Sequence, residues 1–370
     1  MILVVNSGST SLKVSVVDEE IVFSGLVDGV GSRAKIKVPG STLSKNVKDH
    51  VQAFTLLAKH LASFPISRVV HRVVHGGSAF SKPVKVSARV IKKLESFSAL
   101  APLHMPANLS CIRAAMKQFP SLDHIAVFDT AFHQTLPEHA YSYAVPSSWK
   151  KVGIRKYGFH GSSVYWCVNE MQRLLNKKKV SLIVCHLGGG DSVTAVKNNE
   201  SLETSMGFSP VSGVAMATRS GDIDAEAVLF AKEHFGLSTQ QVSHVLEKKS
   251  GLKALAGTLD MRVIFRRALE NNENAQFAIK KFSYDVAKEV GMFASLLGNV
   301  DALVFTGGIG EGAWYVRQWV ADFLPGLGIR LAKKNEDCFE GKVSTPSSKI
   351  PVFVVPAKEE LALVAQANDL

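Results

Sequence analysis

Two short apolar runs joined by a turn of glycines and small polar residues occur twice in this chain, and that repetition limits its fold more than any other feature. In the first copy, residues 2–5 and 14–17 flank Asn6-Ser7-Gly8-Ser9-Thr10-Ser11-Leu12-Lys13. In the second, residues 182–185 and 193–196 flank His186-Leu187-Gly188-Gly189-Gly190-Asp191-Ser192. Each reads as strand, tight turn, strand, at the head of an alternating β/α stretch. This predicts an α/β chain with a duplicated domain and a ligand between the copies. A turn built only for geometry needs one Gly or Asn. The first turn instead gathers the Gly8 N–H, the Ser9 and Ser11 hydroxyls and the Lys13 ammonium, donors suited to phosphate oxygens. It is not a P-loop, because G-x-x-x-x-G-K-[ST] occurs nowhere in the chain. An ordinary polar hairpin stays open on these residues alone.

A length of 370 residues exceeds one ordinary core and predicts two domains. The net charge of +11 suits an anionic substrate. It would also suit nucleic acid, but the basic residues are scattered in short groups such as Lys177-Lys178-Lys179 and Lys333-Lys334. No RNP-like aromatic pattern or Cys/His finger accompanies them, so no nucleic-acid partner is expected. Cys111, Cys167, Cys185 and Cys338 form no C-x-x-C, which predicts buried free thiols in a reducing compartment. The apolar run before Asn6 is too short for a signal peptide, and no run approaches a membrane span. A cytoplasmic chain with no membrane partner is expected.

Strands are expected at 2–6, 12–17 and 21–27, with a polar loop beyond. A helix fits 48–63, a buried strand 68–74, helices 87–98 and 107–118, and a strand 124–128, with a rigid loop at 101–106. After the second hairpin, helices fit 225–234, 239–248 and 275–298. A strand at 302–305 runs into Thr306-Gly307-Gly308-Ile309-Gly310-Glu311-Gly312, and a strand at 351–355 precedes a final helix from 357.

The reactive residues fall at strand ends, where ligands bind in open α/β sheets. Arg72 lies in the strand leading to Gly76-Gly77. Asp129 follows a strand directly and is either a Mg²⁺ ligand or a turn residue. His104, between Pro102 and Pro106, is either structural or catalytic. His160, in a Gly-flanked helix start, either stabilises charge on a transferring group or caps the helix with residues 161–163. Arg219 precedes a helix beginning near Asp224 and can hold a carboxylate or phosphate bidentately. The spacing of Gly308, Gly310 and Gly312 is wrong for G-x-G-x-x-G, which excludes a dinucleotide dehydrogenase.

Together these segments closely resemble the acetate kinase (acetokinase) family, from residue 1 to about 366. The family's N-x-G-S-x-S-x-K appears as Asn6 to Lys13, and its second signature in Glu203-Thr204-Ser205-Met206-Gly207-Phe208 through Met216-Ala217-Thr218-Arg219-Ser220-Gly221-Asp222-Ile223-Asp224. His71-Arg72-Val73-Val74-His75-Gly76-Gly77, Phe128-Asp129-Thr130-Ala131-Phe132-His133-Gln134 and Arg155-Lys156-Tyr157-Gly158-Phe159-His160-Gly161 are also similar to the family. The resemblance implies two duplicated ribonuclease-H-like domains of the actin/Hsp70/sugar-kinase type with a central cleft. They would comprise residues 1–147, rejoined by the helix 357–370, and a nucleotide-binding domain 148–356. It implies reversible transfer of the ATP γ-phosphoryl to acetate, giving acetyl phosphate and ADP, with Mg²⁺ or Mn²⁺. A homodimer is implied as well.

The same resemblance implies the roles of particular residues. Arg72 and Arg219 would hold the carboxylate and the transferring phosphoryl, with His160 assisting and His104 supporting. Asn6, Asp129 and Glu359 would organise the metal. Val74, Leu103, Phe159 and Pro210 would form the acyl pocket. ATP and its phosphates would meet Ser9, Ser11, Lys13, His186, Gly188, Gly189, Gly190, Asp260, Arg262, Gly308, Ile309, Gly310, Glu311 and Gly312. The chain departs from the family at Gly189 and Gly312, where Asn is usual, at Val164 for a usual His, and at Ala225 for a usual Pro. Propionate or butyrate kinase is the alternative within the class. A nucleotide-gated Hsp70-like binding module is the alternative outside it, and such a module has no need of two guanidiniums and an apolar methyl pocket.

Overall fold

The computed structural model describes residues 1–102 and 104–370. The chain divides into two units: Met1–Gln134 with Lys358–Leu370, and Thr135–Ala357.

The first unit holds an eight-stranded sheet: β1 Ile2–Ser7, β2 Ser11–Val17, β3 Ile21–Asp28, β4 Ser32–Val38, β5 Ser41–Val47, β6 Arg68–Val73, β7 Val84–Lys85 and β8 Asp123–Phe128. The order is β5-β4-β3-β2-β1-β6-β8-β7. The hairpin of β1 and β2 is antiparallel, with Asn6 opposite Lys13. β6 joins β1 in parallel, with Asn6 opposite Arg72, and β8 joins β6 with Arg72 opposite Val127. This register brings Asn6 and Arg72 to one edge, two residues short of Asp129.

Where the sequence reading expects a polar loop after residue 27, β4 and β5 form instead. β4 buries only Ala34 and Ile36, and β5 is exposed until Val47. The edge strand β5, with no buried face, has no period-two pattern to read, while β4 does alternate buried Ala34 and Ile36 with exposed Arg33, Lys35 and Lys37. The first helix is His50–Ala58 rather than 48–63. Leu61 is still buried, so the apolar spacing runs past the helix into its turn. The expected rigid loop is shorter too, because the helix Met105–Gln118 begins inside it with Pro106 in its first turn. The last helix, Glu359–Asn368, packs Leu363 and Ala367 against Val4, Val70, Ile125 and Val127.

The second unit repeats the plan with β9 Leu182–Leu187, β10 Asp191–Lys197, β11 Glu200–Thr204, β12 Ala302–Thr306, β13 Gly341–Lys342 and β14 Val352–Val354, in the order β11-β10-β9-β12-β14-β13. Each sheet opens with an antiparallel meander, five strands in the first and three in the second, and two more strands then join the first strand's other side in parallel. This is the duplicated ribonuclease-H-like arrangement. β9 and β12 are buried along their whole length, as strands covered on both faces must be. The long helix Glu273–Leu297 lays Ala278, Phe282, Val286, Val290 and Phe293 on that sheet, a stripe at three- and four-residue spacing. Helices Gly251–Ala256, Met261–Leu269 and Trp314–Asp322 add to the expected set. The helix Ala225–His234 lies where expected, capped by Asp224. The expected helix 239–248 changes winding, with Thr239–His244 α-helical and Val245–Lys249 a π-turn. The glycine-rich run after β12 is a short helix, Gly307–Gly312. Among the described residues no helix is long and apolar enough to cross a membrane, and the four cysteines are free, three of them buried.

Arg317, only 1% exposed, fixes that short helix. Its guanidinium donates to the carbonyls of Gly310 (2.7 Å), Glu311 (2.8 Å), Asn335 (2.6 Å) and Cys338 (3.2 Å), and to the Asn335 side-chain oxygen (2.7 Å). Burial lowers its pKa only to about 10, so it stays charged at neutral pH, where the helix's last carbonyls favour a cation. Arg317→Met preserves bulk and strands these acceptors. We expect it to lose about 3 kcal/mol or more of unfolding free energy, read from urea denaturation. A loss below about 1 kcal/mol would mean the carbonyls find other donors.

Candidate active site

In the first unit the ends of β1, β6 and β8 carry one polar cluster. Arg72 donates from Nε to Asp129 Oδ1 (2.9 Å) and from Nη2 to Asp129 Oδ2 (2.5 Å), and its Nη1 donates to Asn6 Oδ1 (2.9 Å). Asn6 Nδ2 donates to Glu359 Oε2 (3.2 Å), which brings the first turn of the last helix into the cluster. Burial works against the charge on Arg72, but Asp129, with Glu359 and Glu360, outweighs it and raises the pKa above the usual arginine value. Burial and Glu359 push the Asp129 carboxyl upward, and the Arg72 fork opposes them. A bidentate fork of this kind keeps both partners ionised.

The first hairpin is braced by residues that the sequence reading did not single out. Asn108, 1% exposed, accepts the Val74 N–H (2.9 Å) and donates to the Ser7 carbonyl and hydroxyl (2.9 and 2.8 Å). It ties the end of β1 to the end of β6. His50 Nε2 lies 2.9 Å from the Gly8 carbonyl. Gly8 spends its N–H on the Ser11 carbonyl (2.9 Å), so that donor closes the turn. Ser9 and Ser11 are half-buried, and Lys13 is ion-paired with the buried Glu360. His104 sits at the cap of the helix Met105–Gln118 without a side-chain capping bond. Val74 is buried. Leu103 lies outside the described residues.

In the second unit His160, His186, Arg219 and the Gly188–Gly190 turn converge. His160 takes the left-handed conformation, φ +61°, just before the helix Gly161–Leu175 and does not cap it with its side chain. Its Nδ1 lies 3.0 Å from Ser192 Oγ, and its ring is 4.2 Å from that of His186. His186 Nδ1 lies 2.8 Å from Ser163 Oγ, so a residue expected at the helix cap orients this ring instead. A side chain at Gly190 would meet Arg219 Nη1 at 3.0 Å and His160 Nε2 at 3.3 Å. A side chain there would push the Arg219 guanidinium or the His160 ring back by a few tenths of an ångström. Phe159 is buried beside His160, and Pro210 gives its carbonyl to Arg219 Nη1 (3.3 Å).

Arg219 has no ion pair among the described residues. Burial lowers its pKa, while Glu247 and Asp191 act to raise it. Its backbone is clamped from behind. The π-turn accepts the Ser220 N–H at Leu246 (3.0 Å) and the Thr218 hydroxyl at Glu247 (2.7 Å). π-turns recur where local geometry serves a site. Gly251, φ +63°, lets the next helix approach so closely that a Cβ would stand 2.6 Å from the Arg219 carbonyl.

Beside this cluster the second unit has a cleft of about 660 Å³ lined by Gly188, Gly189, Asp260, Arg262, Gly308, Ile309 and Gly312. Leu259, Tyr315 and Phe339 also line it and were not expected there. Asp260 caps the helix Met261–Leu269 and accepts from Arg262 Nε (2.9 Å) and Nη2 (2.7 Å), which hold its pKa down to about 2. Glu311 accepts the Ala357 N–H (2.8 Å), and the Gly310 carbonyl is held by Arg317. At Gly189 a side chain would meet nothing within 4 Å, and at Gly312 only the Phe339 ring at 4.0 Å.

The sequence profile of the acetokinase family matches residues 1–365. Acetate kinase of Thermotoga maritima is 40% identical, covering 100% of this chain and 98% of its own. That of Carboxydothermus hydrogenoformans is 40% identical with the same coverage. Among solved structures, an acetate kinase from Porphyromonas gingivalis superposes with TM-score 0.93 at 36% identity, covering 100% of this chain and 98% of that one. A propionate kinase from Francisella tularensis superposes with TM-score 0.95 at 36% identity, covering 100% and 99%. Likeness at this level runs the whole length of both partners, in sequence and in backbone, and on that ground the chain belongs to the acetokinase family.

Proposed function

We propose that this protein works as an acetate kinase, moving the γ-phosphoryl of ATP onto a carboxylate oxygen of acetate and back. The observation that carries this beyond family membership is Arg219. It is a half-buried guanidinium without an ion-pair partner among the described residues, converging with His160 on a glycine turn that also lines a nucleotide-sized cleft. Transfer forms a bond from the acetate oxygen to Pγ and breaks the bond from Pγ to the bridging oxygen of ADP. Acetate is already ionised at neutral pH, so no strong base is needed. The work left to the protein is to position the reactants and neutralise charge. Arg219 and His160 meet the charge on the transferring group, and Arg72 holds the acceptor carboxylate. Ser9, Ser11 and Lys13 contact phosphate in this reading, Lys13 by exchanging Glu360 for it. Val74, Leu103, Phe159 and Pro210 limit the acyl chain. Residues 148–356 form the nucleotide-binding domain, and 1–147 with 357–370 the other.

The donors around Arg72 fit Mg²⁺. Asp129 and Glu359 bring carboxylate oxygens and Asn6 an amide oxygen, and burial, with Glu359 adding to it, raises the Asp129 pKa, a penalty on the carboxylate that a divalent cation relieves. Mg²⁺ held by Asp129, Glu359 and Asn6 would supply charge neutralisation for the phosphates. Propionate is the second acceptor to consider, because the Francisella propionate kinase matches the backbone as well as the acetate kinases do. A homodimer in the cytoplasm, without nucleic-acid or membrane partners, belongs to the same reading.

The direct test is acetyl phosphate formation from ATP with acetate, propionate and butyrate, with and without excess chelator. We expect acetate to be used best, propionate to leak through because one methylene is worth only about 1–3 kcal/mol, and chelator to abolish turnover. Undiminished turnover in chelator overturns the metal assignment, and preference for butyrate overturns the pocket.

Arg219→Ala should lower kcat by about a hundredfold or more, the scale of losing one charge-stabilising group, with the melting temperature little changed. Near-normal kcat would make Arg219 structural. The space at Gly189 and Gly312 yields a third expectation. Gly189→Asn with Gly312→Asn should lower KM for ATP by about tenfold or more, each amide adding about 0.5–1.5 kcal/mol, with kcat less affected. No gain in ATP or GTP affinity would show that the glycines are a local solution complete in themselves.

A further inference from the structure

Asp191 is a buried carboxyl that the phosphoryl-transfer reading does not use. It opens β10 directly after the three glycines and has no solvent exposure. Oδ1 accepts the Gly188 N–H at 2.5 Å, and Oδ2 has no hydrogen-bond partner among the described residues. Burying a carboxyl with half its capacity unmet is unfavourable. Val193 and Ala195, the residues that alternate with Asp191 on the same face of β10, are buried and apolar, so an apolar residue would suit that face better.

The backbone supplies the reason for it. Three consecutive glycines are the least restricted stretch a chain can have. Gly189 meets no neighbour that would hold a side chain in place. Yet Gly188 and Gly189 wall the nucleotide-sized cleft, and Gly190 packs under Arg219 and His160. A turn left loose must be ordered at the moment of binding, which weakens affinity. The bond from Gly188 to Asp191 closes a ring around Gly189 and Gly190. It anchors that ring to the first residue of β10, which is itself registered opposite Leu187 on β9.

We propose that Asp191 is a positioning residue that locks the Gly188–Gly190 turn before ligand arrives and so raises affinity for the polyphosphate of a nucleotide. The inference rests on reading this cleft as the nucleotide site. Burial pushes the Asp191 pKa well up, against the Gly188 N–H and Arg219, the charged group whose field reaches it. The lock does not depend on the outcome, because Oδ1 accepts a hydrogen bond whether or not Oδ2 carries a proton.

The test compares Asp191→Ala, which removes the acceptor, with Asp191→Asn, which keeps it, in the full chain. The readouts are steady-state kinetics and calorimetric titration with ADP. We expect Asp191→Ala to raise KM for ATP and Kd for ADP by about three- to tenfold, the range for one lost hydrogen bond. KM for acetate should not change, and Asp191→Asn should restore nucleotide affinity. A merely structural residue would lower the melting temperature and leave the nucleotide and acetate constants moving together. Hydrogen exchange of the unliganded wild type provides a readout that needs no variant, because the Gly188 amide should be protected. Rapid exchange there, or wild-type ADP affinity in Asp191→Ala, overturns the lock. A wild type that binds no ADP at all overturns the nucleotide reading instead.

Discussion

The pair of Arg72 and Asp129 exists only because three strands are held in one register. Asn6, Arg72 and Val127 are successive partners across β1, β6 and β8, and Asp129 follows two residues on. A slip of one residue in β6 would turn Arg72 to the opposite face of the sheet. The register in turn depends on the buried rows Val4, Val70 and Ile125, over which the last helix lays Leu363 and Ala367. That helix delivers Glu359 to Asn6 and Glu360 to Lys13. Chain ends 353 residues apart thus meet at one cluster. Losing either member of the buried pair would leave the other charge without compensation, a large penalty, so sheet, helix and cluster stand or fall together.

The duplicated plan makes the two hairpins comparable and shows how differently they are equipped. The turn after β1 carries hydroxyls and a lysine, and side chains brace it: Asn108 on Ser7, His50 on Gly8, Glu360 on Lys13. The turn after β9 carries three glycines and offers mostly backbone. Side-chain donors suit point charges and can change partners. Backbone walls allow close approach of a large ligand, at the cost of intrinsic looseness.

How much of this was legible in sequence follows from the same distinction. β1, β2, β6, β8, β9 and β12 could be read because each buries a continuous or alternating apolar row and ends in a polar or glycine turn. Arg72 and Asp129 could be singled out as polar residues at those ends, and His160 and Arg219 as polar residues beside glycines ahead of helices. β5 could not, because it buries one residue and has no pattern, whereas β4 was missed although Ala34 and Ile36 alternate with exposed Arg33, Lys35 and Lys37. Asn108 was hidden inside an unremarkable helical run, since nothing local signals a partner 101 residues away. The pairing of Lys13 with Glu360 was hidden for the same reason, and Phe339 reaches the cleft from a segment with no motif. Local periodicity reports burial. It does not report which buried polar groups meet.

A wall made of backbone can be stiffened only from behind. Four features of the second unit do this without offering a side chain to the cleft. Arg317 holds the carbonyls of the helix after β12. The π-turn and the close approach at Gly251 hold the segment of Arg219. Asp191 holds the Gly188 amide. Three of them are costly in isolation: a buried cation with no carboxylate partner among the described residues, a non-α winding and a half-satisfied acid. Such costs persist in a fold when the surrounding contacts over-determine the geometry. Their concentration around the glycine turns is what a site needs when its affinity comes from amides set in place before the ligand arrives rather than from side chains that move to meet it.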